Sequence, residues 1–262
     1  MQEPNRNSGE IRPRNRVLRI LRLFEERHVW SVEAIAAEMG TSTSSSYRDV
    51  QELIQSGFLA PVVGGGYVLG PAFGRFDWLV RRGDPLIRLS APRMRELLDA
   101  TTQRAVAVLS RRYRDQVMCV HQEAGSAPHP ITLYERGVAM PLFTGATSKA
   151  ILAHLGERTL RRIYLDYEEE VRRTLNCASW REFRDQLEAI RRAGIAVTLS
   201  EVAEGRVGIA APIFASKQVI GGLSLVVHQP DYEGERFQEA VGDTARDISA
   251  ALSHENPWIA RG

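Results

Sequence analysis

Residues 31–57 read SVEAIAAEMGTSTSSSYRDVQELIQSG, and this stretch decides how the amino-terminal part of the chain folds. Ser31 is a good helix N-cap, and apolar residues then recur at helical spacing as far as Met39. Gly40 suits the left-handed residue that ends a helix, and a second amphipathic helix follows it. Two short helices joined by a tight turn that contains glycine predict a helix-turn-helix.

The second helix carries the residues that we expect to contact DNA. Thr41 or Thr43 can cap this helix, and Gly57 ends it. Its apolar inward face is predicted to be Tyr47, Val50, Leu53 and Ile54. In a helix-turn-helix the first residues of this helix enter the major groove, where hydroxyls bind phosphates or base edges and arginine binds guanine. The predicted contacts are Thr41, Ser42, Thr43, Ser44, Ser45, Ser46, Tyr47 and Arg48. The alternative is that these hydroxyls form a capping cluster in a plain helical bundle.

The flanking segments complete a winged helix-turn-helix. Apolar residues at helical spacing predict a first helix over residues 15–27. After the second helix of the motif, strand-like runs at 58–63 and 67–69 flank three glycines, which predicts a hairpin. Three helices followed by a hairpin are the order of elements in a winged helix.

The leader supplies a second indication of DNA binding. Residues 1–24 carry six arginines against two acids, which is typical of an arm that meets phosphates, although a solvated leader is the alternative. Arg14 in this leader and Gly65 at the hairpin tip are the further DNA contacts that we predict. Residues 1–72 are neutral as a whole, so binding would depend on where the charges lie.

The chain is expected to have four parts: a disordered basic leader at 1–10, the winged helix-turn-helix at 11–72, a linker helix at 73–86 and a larger domain at 87–254. The linker is apolar, with two phenylalanines, a tryptophan, a leucine and a valine between positions 73 and 80. An exposed apolar helix usually packs on a partner, and a second copy of the chain is the simplest one. We therefore expect a homodimer or a homotetramer.

The larger domain is predicted to be α+β. Strands are predicted at 105–109, 117–121, 131–134, 195–199, 208–214 and 219–227, and helices at 86–102, 146–155, 160–167, 180–192 and 237–252. Hairpins of strands with helices grouped between them favour an antiparallel sheet covered by helices. Pro212 should lie at a bulge or an edge, because it cannot donate to a sheet ladder.

Composition excludes several classes of protein. The 262 residues are 44% hydrophobic and 25% charged, with a formal net charge of +2, which excludes collagen, a coiled-coil rod and wholesale disorder. No apolar run approaches the roughly 20 residues of a membrane span. The first residues also lack the apolar stretch of a secretory signal. We therefore expect a cytoplasmic protein with no membrane partner.

Motifs typical of enzymes and metal sites are missing from the sequence. It contains no phosphate-binding loop, GxSxG, HExxH or dinucleotide fingerprint. Cys119 and His121 alternate on a predicted strand and could share a face, but a metal would need further ligands, so packing is favoured. Glu201 and Glu204 could form an acid–base pair, but their polar segment favours a structural loop. We expect no enzyme activity, no metal and no cofactor.

The chain resembles the IclR family of transcriptional regulators over nearly its whole length. The resemblance rests on the winged-helix segment VLRILRLFEE to GYVLG, on MPLFTGATSKAILAHL at 140–155, and on RRAGIAVTLSEVAEGRVGIAAPIFASKQVIGGLSLV at 191–226. It implies a cytoplasmic regulator that binds a double-stranded DNA operator. It also implies a GAF-like carboxy-terminal domain that binds a small organic effector, commonly a carboxylate or an aromatic catabolic intermediate.

The resemblance also implies where the effector binds. Gly145, Ala146 and Thr147 open a helix whose free N–H groups suit a carboxylate, and the strands contribute Thr198, Gly208, Ser224 and Val226. Thr198 and Gly208 stand where some carboxylate-binding members carry an acid and a cysteine, and Val226 replaces a frequent serine or threonine. The predicted pocket is therefore less polar than a small keto acid requires, which favours a larger, aromatic effector.

Two alternative functions stay open at this point. The first is a small-molecule enzyme whose winged helix serves only to form dimers. The second is a metal or thiol sensor that uses Cys119 and His121.

Overall fold

A computed structural model of the protein describes residues 15–132 and 134–254. The chain divides between Arg82 and Gly83 into two compact units. The predicted disordered leader at 1–10 and Arg14 lie among residues 1–14, which are outside the described residues. In the described part of the chain, no helix is both long and apolar enough to cross a bilayer.

The first unit is built from helices and one hairpin. Its elements are α1 (Arg16–Leu23), α2 (Val32–Met39), α3 (Thr43–Gln55), β1 (Leu59–Pro61), β2 (Tyr67–Leu69) and α4 (Pro71–Gly83). Its core is apolar and consists of Ile20, Leu23, Phe24, Trp30, Ile35, Met39, Val50, Leu53 and Leu59. Trp30 ties the helices to the hairpin, because its backbone pairs with Tyr67 and its Nε1 donates to the carbonyl of Leu23 at 2.9 Å.

Local capping chemistry explains where the first helices begin and end. The side chains of Asn15, Ser31 and Ser42 cap α1, α2 and α3, and Gly40 ends α2 with a φ of 64°. The prediction that Thr41 or Thr43 caps α3 is wrong, because the Ser42 hydroxyl accepts the hydrogen bond of the Ser45 amide. Helix α1 ends at Leu23, earlier than predicted, because the chain turns there before Trp30 reaches the hairpin.

The second unit is a six-stranded antiparallel sheet with helices. Its first elements are α5 (Pro85–Ala100), β3 (Ala105–Tyr113), β4 (Gln116–Ala124), β5 (Ala139–Pro141), α6 (Gly145–Leu152), α7 (Glu157–Asp166), α8 (Glu168–Leu175) and α9 (Trp180–Ala193). The remaining elements are β6 (Ala196–Leu199), β7 (Arg206–Ala215), β8 (Gln218–His228), a 3₁₀ turn (Gln229–Asp231) and α10 (Glu235–His254). The strand order is β5-β4-β3-β8-β7-β6. The predicted antiparallel sheet with helices is confirmed.

The two faces of this sheet have different neighbours. Alternate residues such as Leu109, Ile209 and Leu225 are buried with apolar residues of α5 and α10. The intervening residues lie on the other face, where Ala210 packs against Ala146 and Ala150 of α6. This alternation follows from the two-residue period of a strand.

Two parts of the second unit differ from the prediction. Residues 131–134 were expected to form a strand, but Thr132 and Tyr134 lie in irregular chain, and the short β5 after them is the edge strand instead. The side chains of Thr132 and Tyr134 line a cavity described below. Helix α8 was not anticipated.

Pro212 occupies the kind of position predicted for it. It pairs with Gly222 on one side of β7, while β6 ends its pairing at Ala210 on the other side. A bulge lies beside it, between Ile213 and Phe214. The missing N–H of the proline therefore costs no ladder hydrogen bond.

Candidate functional site

Helix α3 presents a polar exposed row in the first unit. Ser44, Tyr47 and Arg48 are all exposed, and their spacing of three and four residues places them on one side of the helix. Arg48 has no ion pair among the residues that the structure describes. The row therefore offers a hydroxyl, a phenol and a free guanidinium to a partner.

Two sequence assignments on α3 are reversed by the structure. Ser46 is fully buried, and its hydroxyl shares a hydrogen bond of 2.7 Å with that of Thr41, so Ser46 is unable to contact DNA and Thr41 is partly engaged. Tyr47 was expected to face inward, but its side chain is 50% exposed. The residues of α3 that face the core are Ser46, Val50 and Leu53. The helix begins directly after its N-cap Ser42, and its rotation turns these three side chains inward.

Ser45 has an internal role. Nη2 of Arg16 in α1 donates to the Ser45 hydroxyl at 2.9 Å and lies 2.7 Å from the Asp49 carboxylate. These contacts fix α3 to α1. Of the predicted contacts, Ser42, Thr43, Ser44, Tyr47 and Arg48 are exposed.

The hairpin tip is a glycine turn. Gly64, Gly65 and Gly66 all have φ near 95–100°, which only glycine adopts readily. Gly65 has open space around its α-carbon, and Val63 beside it is fully exposed. This tip is the wing of the predicted winged helix.

The second unit contains a cavity between α6 and one face of the sheet. It comprises about 450 Å³ of space, a figure that includes open solvent. Its lining residues are Thr132, Tyr134, Ala146, Thr147, Thr198, Glu201, Val202, Ala203, Arg206, Gly208, Ser224 and Val226. Six of the seven predicted effector residues are in this set; Gly145 adjoins it as the first residue of α6.

Strand register brings the sheet residues of the cavity together. Thr198 lies opposite Gly208, and Gly208 lies opposite Val226 on the next strand. Ser224 is two residues from Val226 and therefore faces the same side. A β-carbon on Gly208 would lie 3.1 Å from the Thr198 hydroxyl and 3.4 Å from Ala146, so the glycine leaves the space between them open.

The amino terminus of α6 is already occupied by a carboxylate. Oε1 of Glu201 accepts the Gly145 amide hydrogen bond at 3.0 Å, and its Oε2 lies 2.5 Å from Nζ of Lys149. The expectation that the Gly145 N–H is free for a ligand is therefore wrong. The sequence suggested only a loop or an acid–base pair for Glu201, and Glu204 is in fact exposed and apart from this contact.

Tyr134 closes one wall of the cavity and was missed by the sequence analysis. Its hydroxyl donates to the carbonyl of Thr144 at 2.7 Å. Burial raises the pKa of this phenol to about 12, so it stays protonated at neutral pH. In the sequence it was the last residue of the predicted strand at 131–134, and that pattern does not reveal a cavity.

Arg206 and Thr132 are the other polar residues that the sequence analysis missed. Gln122 donates to the Thr132 hydroxyl at 3.1 Å. Arg206 is half-buried, and its Nη1 donates to the carbonyl of Ile131, whose side chain is 74% exposed. The guanidinium therefore lies at the solvent side of the lining.

Cys119 and His121 do not share a face. Leu109 lies opposite His121 while Ser110 lies opposite Cys119, so Val120 is the extra residue of a bulge. The imidazole contacts Glu123 at 3.0 Å, and burial raises the pKa of the Cys119 thiol to about 11. Across residues 15–132 and 134–254, no group of three or more His, Cys, Asp or Glu side chains is arranged to hold a metal ion.

Comparisons with known proteins point to one family. Residues 80–250 match the family model described as "Bacterial transcriptional regulator IclR C-terminal". The HTH-type transcriptional regulator KipR of Bacillus subtilis is 24% identical over 240 residues, which cover 90% of this chain and 94% of that protein.

Solved structures show the same fold. An IclR transcriptional regulator from Alicyclobacillus acidocaldarius has a TM-score of 0.72 at 20% identity, covering 90% of this chain and 97% of that one. An IclR homologue from Microbacterium hydrocarbonoxydans, complexed with 4-hydroxybenzoate, has a TM-score of 0.71 at 22% identity. The match covers 92% of this chain and 98% of that one. The predicted architecture is confirmed by these neighbours.

Gly145→Ala tests the contact between α6 and the cavity wall. Gly145 has a φ of 80°, and an added β-carbon would lie 2.3 Å from the Tyr134 hydroxyl. We expect the free energy of unfolding to fall by about 1–3 kcal/mol because of the strained backbone, and by a further ~1–3 kcal/mol because of the clash. Gly137→Ala is the matched control, because Gly137 has a φ of 87° with open space around it. Chemical denaturation of both variants checks this. If both lost the same free energy of unfolding, the clash would be contradicted.

Proposed function

This chain belongs to the IclR family of bacterial transcriptional regulators, and we propose that it binds its operator as a dimer under the control of a small aromatic acid. It is a DNA-binding regulator modulated by a ligand. The observation that carries the finer proposal is a cavity with an apolar wall in one unit, combined with an exposed polar row on α3 in the other. We assign the protein no reaction, and we assign it to the cytoplasm because a bacterial DNA-binding regulator acts where the DNA is.

Helix α3 is the element that we assign to the major groove. Ser44, Tyr47 and Arg48 form its exposed row, and the hydroxyls of Ser42 and Thr43 lie at its amino terminus, where a phosphate is also favoured. Arg48 is the residue suited to bidentate contact with a guanine. Gly65 at the hairpin tip would let the backbone approach the phosphates closely.

Helix α4 supplies the surface for a second copy. None of its residues is buried, and Phe76, Trp78, Leu79 and Val80 are each about half exposed. Phe58 stacks on Phe76 and so holds the start of the helix against the hairpin. Apolar surface of this extent favours association. Two copies joined here would present two α3 helices to two half-sites.

The cavity favours an aromatic acid over a small keto acid. Tyr134, Val202 and Val226 provide apolar walls between polar groups that come from several separate segments. The relative from Microbacterium hydrocarbonoxydans was crystallised with 4-hydroxybenzoate, a molecule of this class. The ligand would alter operator binding by its different affinity for two states of the dimer.

Arg48→Ala should weaken operator binding. Loss of a bidentate guanine contact costs about 1–3 kcal/mol, equivalent to roughly 5- to 150-fold in affinity. Fluorescence anisotropy with a duplex selected by the wild-type protein from a random library measures the change. Arg181→Ala removes an exposed arginine from the second unit and should leave affinity unchanged. An Arg48 variant with wild-type affinity would remove the base-reading role.

Leu79→Asp should dissociate the dimer, because a carboxylate on the shared apolar surface would be buried without a partner. Light scattering after size exclusion should give about twice the mass of one chain for the wild type and a single chain for the variant. Leu165→Asp, on an exposed leucine of α7, is the matched control and should stay dimeric. If the Leu79→Asp variant stayed dimeric, the dimer interface would have to lie outside this surface of α4.

Aromatic acids should stabilise the protein and change its operator affinity. At 100 times the Kd a ligand contributes about 2.7 kcal/mol to stability, which raises the Tm by several degrees. Thermal shifts are measured with 4-hydroxybenzoate, and with pyruvate and glyoxylate for comparison. Gly208→Val fills the space beside Thr198 and should abolish the response while leaving operator binding without ligand intact. Tight binding of the keto acids alone would overturn the proposed ligand class.

A further inference from the structure

We propose that Glu201 determines the orientation of the effector, so that a neutral polar group enters the cavity at α6 and the effector's carboxylate lies at Arg206. The inference rests on the proposed aromatic acid ligand. It assigns a separate function to each end of the cavity, and it identifies Glu201 as a residue that selects against a second carboxylate.

The first argument is the charge already present at α6. A helix amino terminus favours one negative group, and the Glu201 carboxylate holds that position by its contacts with Gly145 and Lys149. Lys149 is one of two lysines in the chain, and its charge is matched by Glu201. A ligand carboxylate entering here would meet a like charge and no unmatched cation.

The second argument is a set of buried hydroxyls that line the cavity. Thr147, Thr198 and Ser224 are 2%, 9% and 3% exposed. Within the described ranges 15–132 and 134–254, none of their hydroxyls has a hydrogen-bond partner. None of the three oxygens is among the fully enclosed unpaired atoms of the described residues, so each faces the cavity, where a polar group of the ligand would replace water as its partner. A hydroxyl or an amide on the ligand both donates and accepts, which matches hydroxyl partners.

The third argument is the cation at the other end. Arg206 lines the cavity from the solvent side, and its guanidinium has a carbonyl contact but no carboxylate partner among the described residues. A planar guanidinium matches a carboxylate in a two-bond geometry. An aromatic acid with a polar group opposite its carboxylate would therefore satisfy both ends of the cavity at once.

Four probes of similar size test the two ends separately by calorimetry on the full chain. Terephthalate and 4-carbamoylbenzoate differ only in the charge of the group expected at α6. The compounds 4-hydroxybenzoate and 4-hydroxybenzamide differ only in the charge of the group expected at Arg206. We expect 4-carbamoylbenzoate to bind at least tenfold tighter than terephthalate, and 4-hydroxybenzoate at least tenfold tighter than 4-hydroxybenzamide.

Two variants assign these preferences to residues. Glu201→Gln should reduce the ratio of the affinities for 4-carbamoylbenzoate and terephthalate at least tenfold, because Lys149 then lacks its carboxylate. The control Glu204→Gln neutralises an exposed glutamate of the same loop and should leave this affinity ratio unchanged. Arg206→Met should weaken 4-hydroxybenzoate at least tenfold and leave 4-hydroxybenzamide within threefold of the wild type.

The outcomes separate this inference from the proposed function. Failure of all four probes to bind the wild type would overturn the aromatic acid class and this inference with it. Binding of terephthalate as tight as that of 4-carbamoylbenzoate would overturn the orientation alone. If Arg206→Met lost the same affinity for 4-hydroxybenzoate as for 4-hydroxybenzamide, that result would also overturn the orientation alone. If Glu201→Gln fails to fold, the wild-type series and Arg206→Met still decide.

Discussion

The two-residue period of the antiparallel sheet is the constraint on which the second unit depends. Each strand must give one face to the core under α5 and α10 and the other to α6. On the core face the residues are apolar, and most of them are leucine, isoleucine or valine. On the other face the central strands carry Gly208 and Ser224, two small residues that line the cavity. A cavity results because one face of the sheet is packed to capacity and the other is not.

The electrostatics of this cavity follow from a loop that folds back onto a helix. The loop after β6 brings Glu201 to the first turn of α6, where an amide and an ammonium group hold it. The same loop leads into Arg206 at the start of β7. A short stretch of chain therefore supplies both a compensated pair and a guanidinium to the cavity lining.

In the first unit, hydroxyl chemistry is divided between structure and surface. Ser42 caps α3, Ser46 bonds to Thr41 inside the turn, and Ser45 accepts from Arg16. Ser44 and Thr43 stay exposed. Consecutive, chemically similar residues thus take different roles, because successive positions on a helix are rotated by about 100°. The exposed surface of α3 and its internal support are built from the same run of side chains.

The sequence by itself determined the order of elements, because helix caps, glycine ends and apolar periodicity act over a few residues. Ser31, Gly40 and the glycines of the hairpin tip were recognisable in the sequence in this way. The resemblance to a family placed the cavity residues of α6 and the strands. Only the tertiary structure decided that Ser46 is buried and Tyr47 exposed, that a bulge separates Cys119 from His121, and that Glu201 occupies the α6 terminus. These depend on the rotation of a helix, on one extra residue in a strand and on a contact across 56 positions, and local patterns carry no information about any of the three.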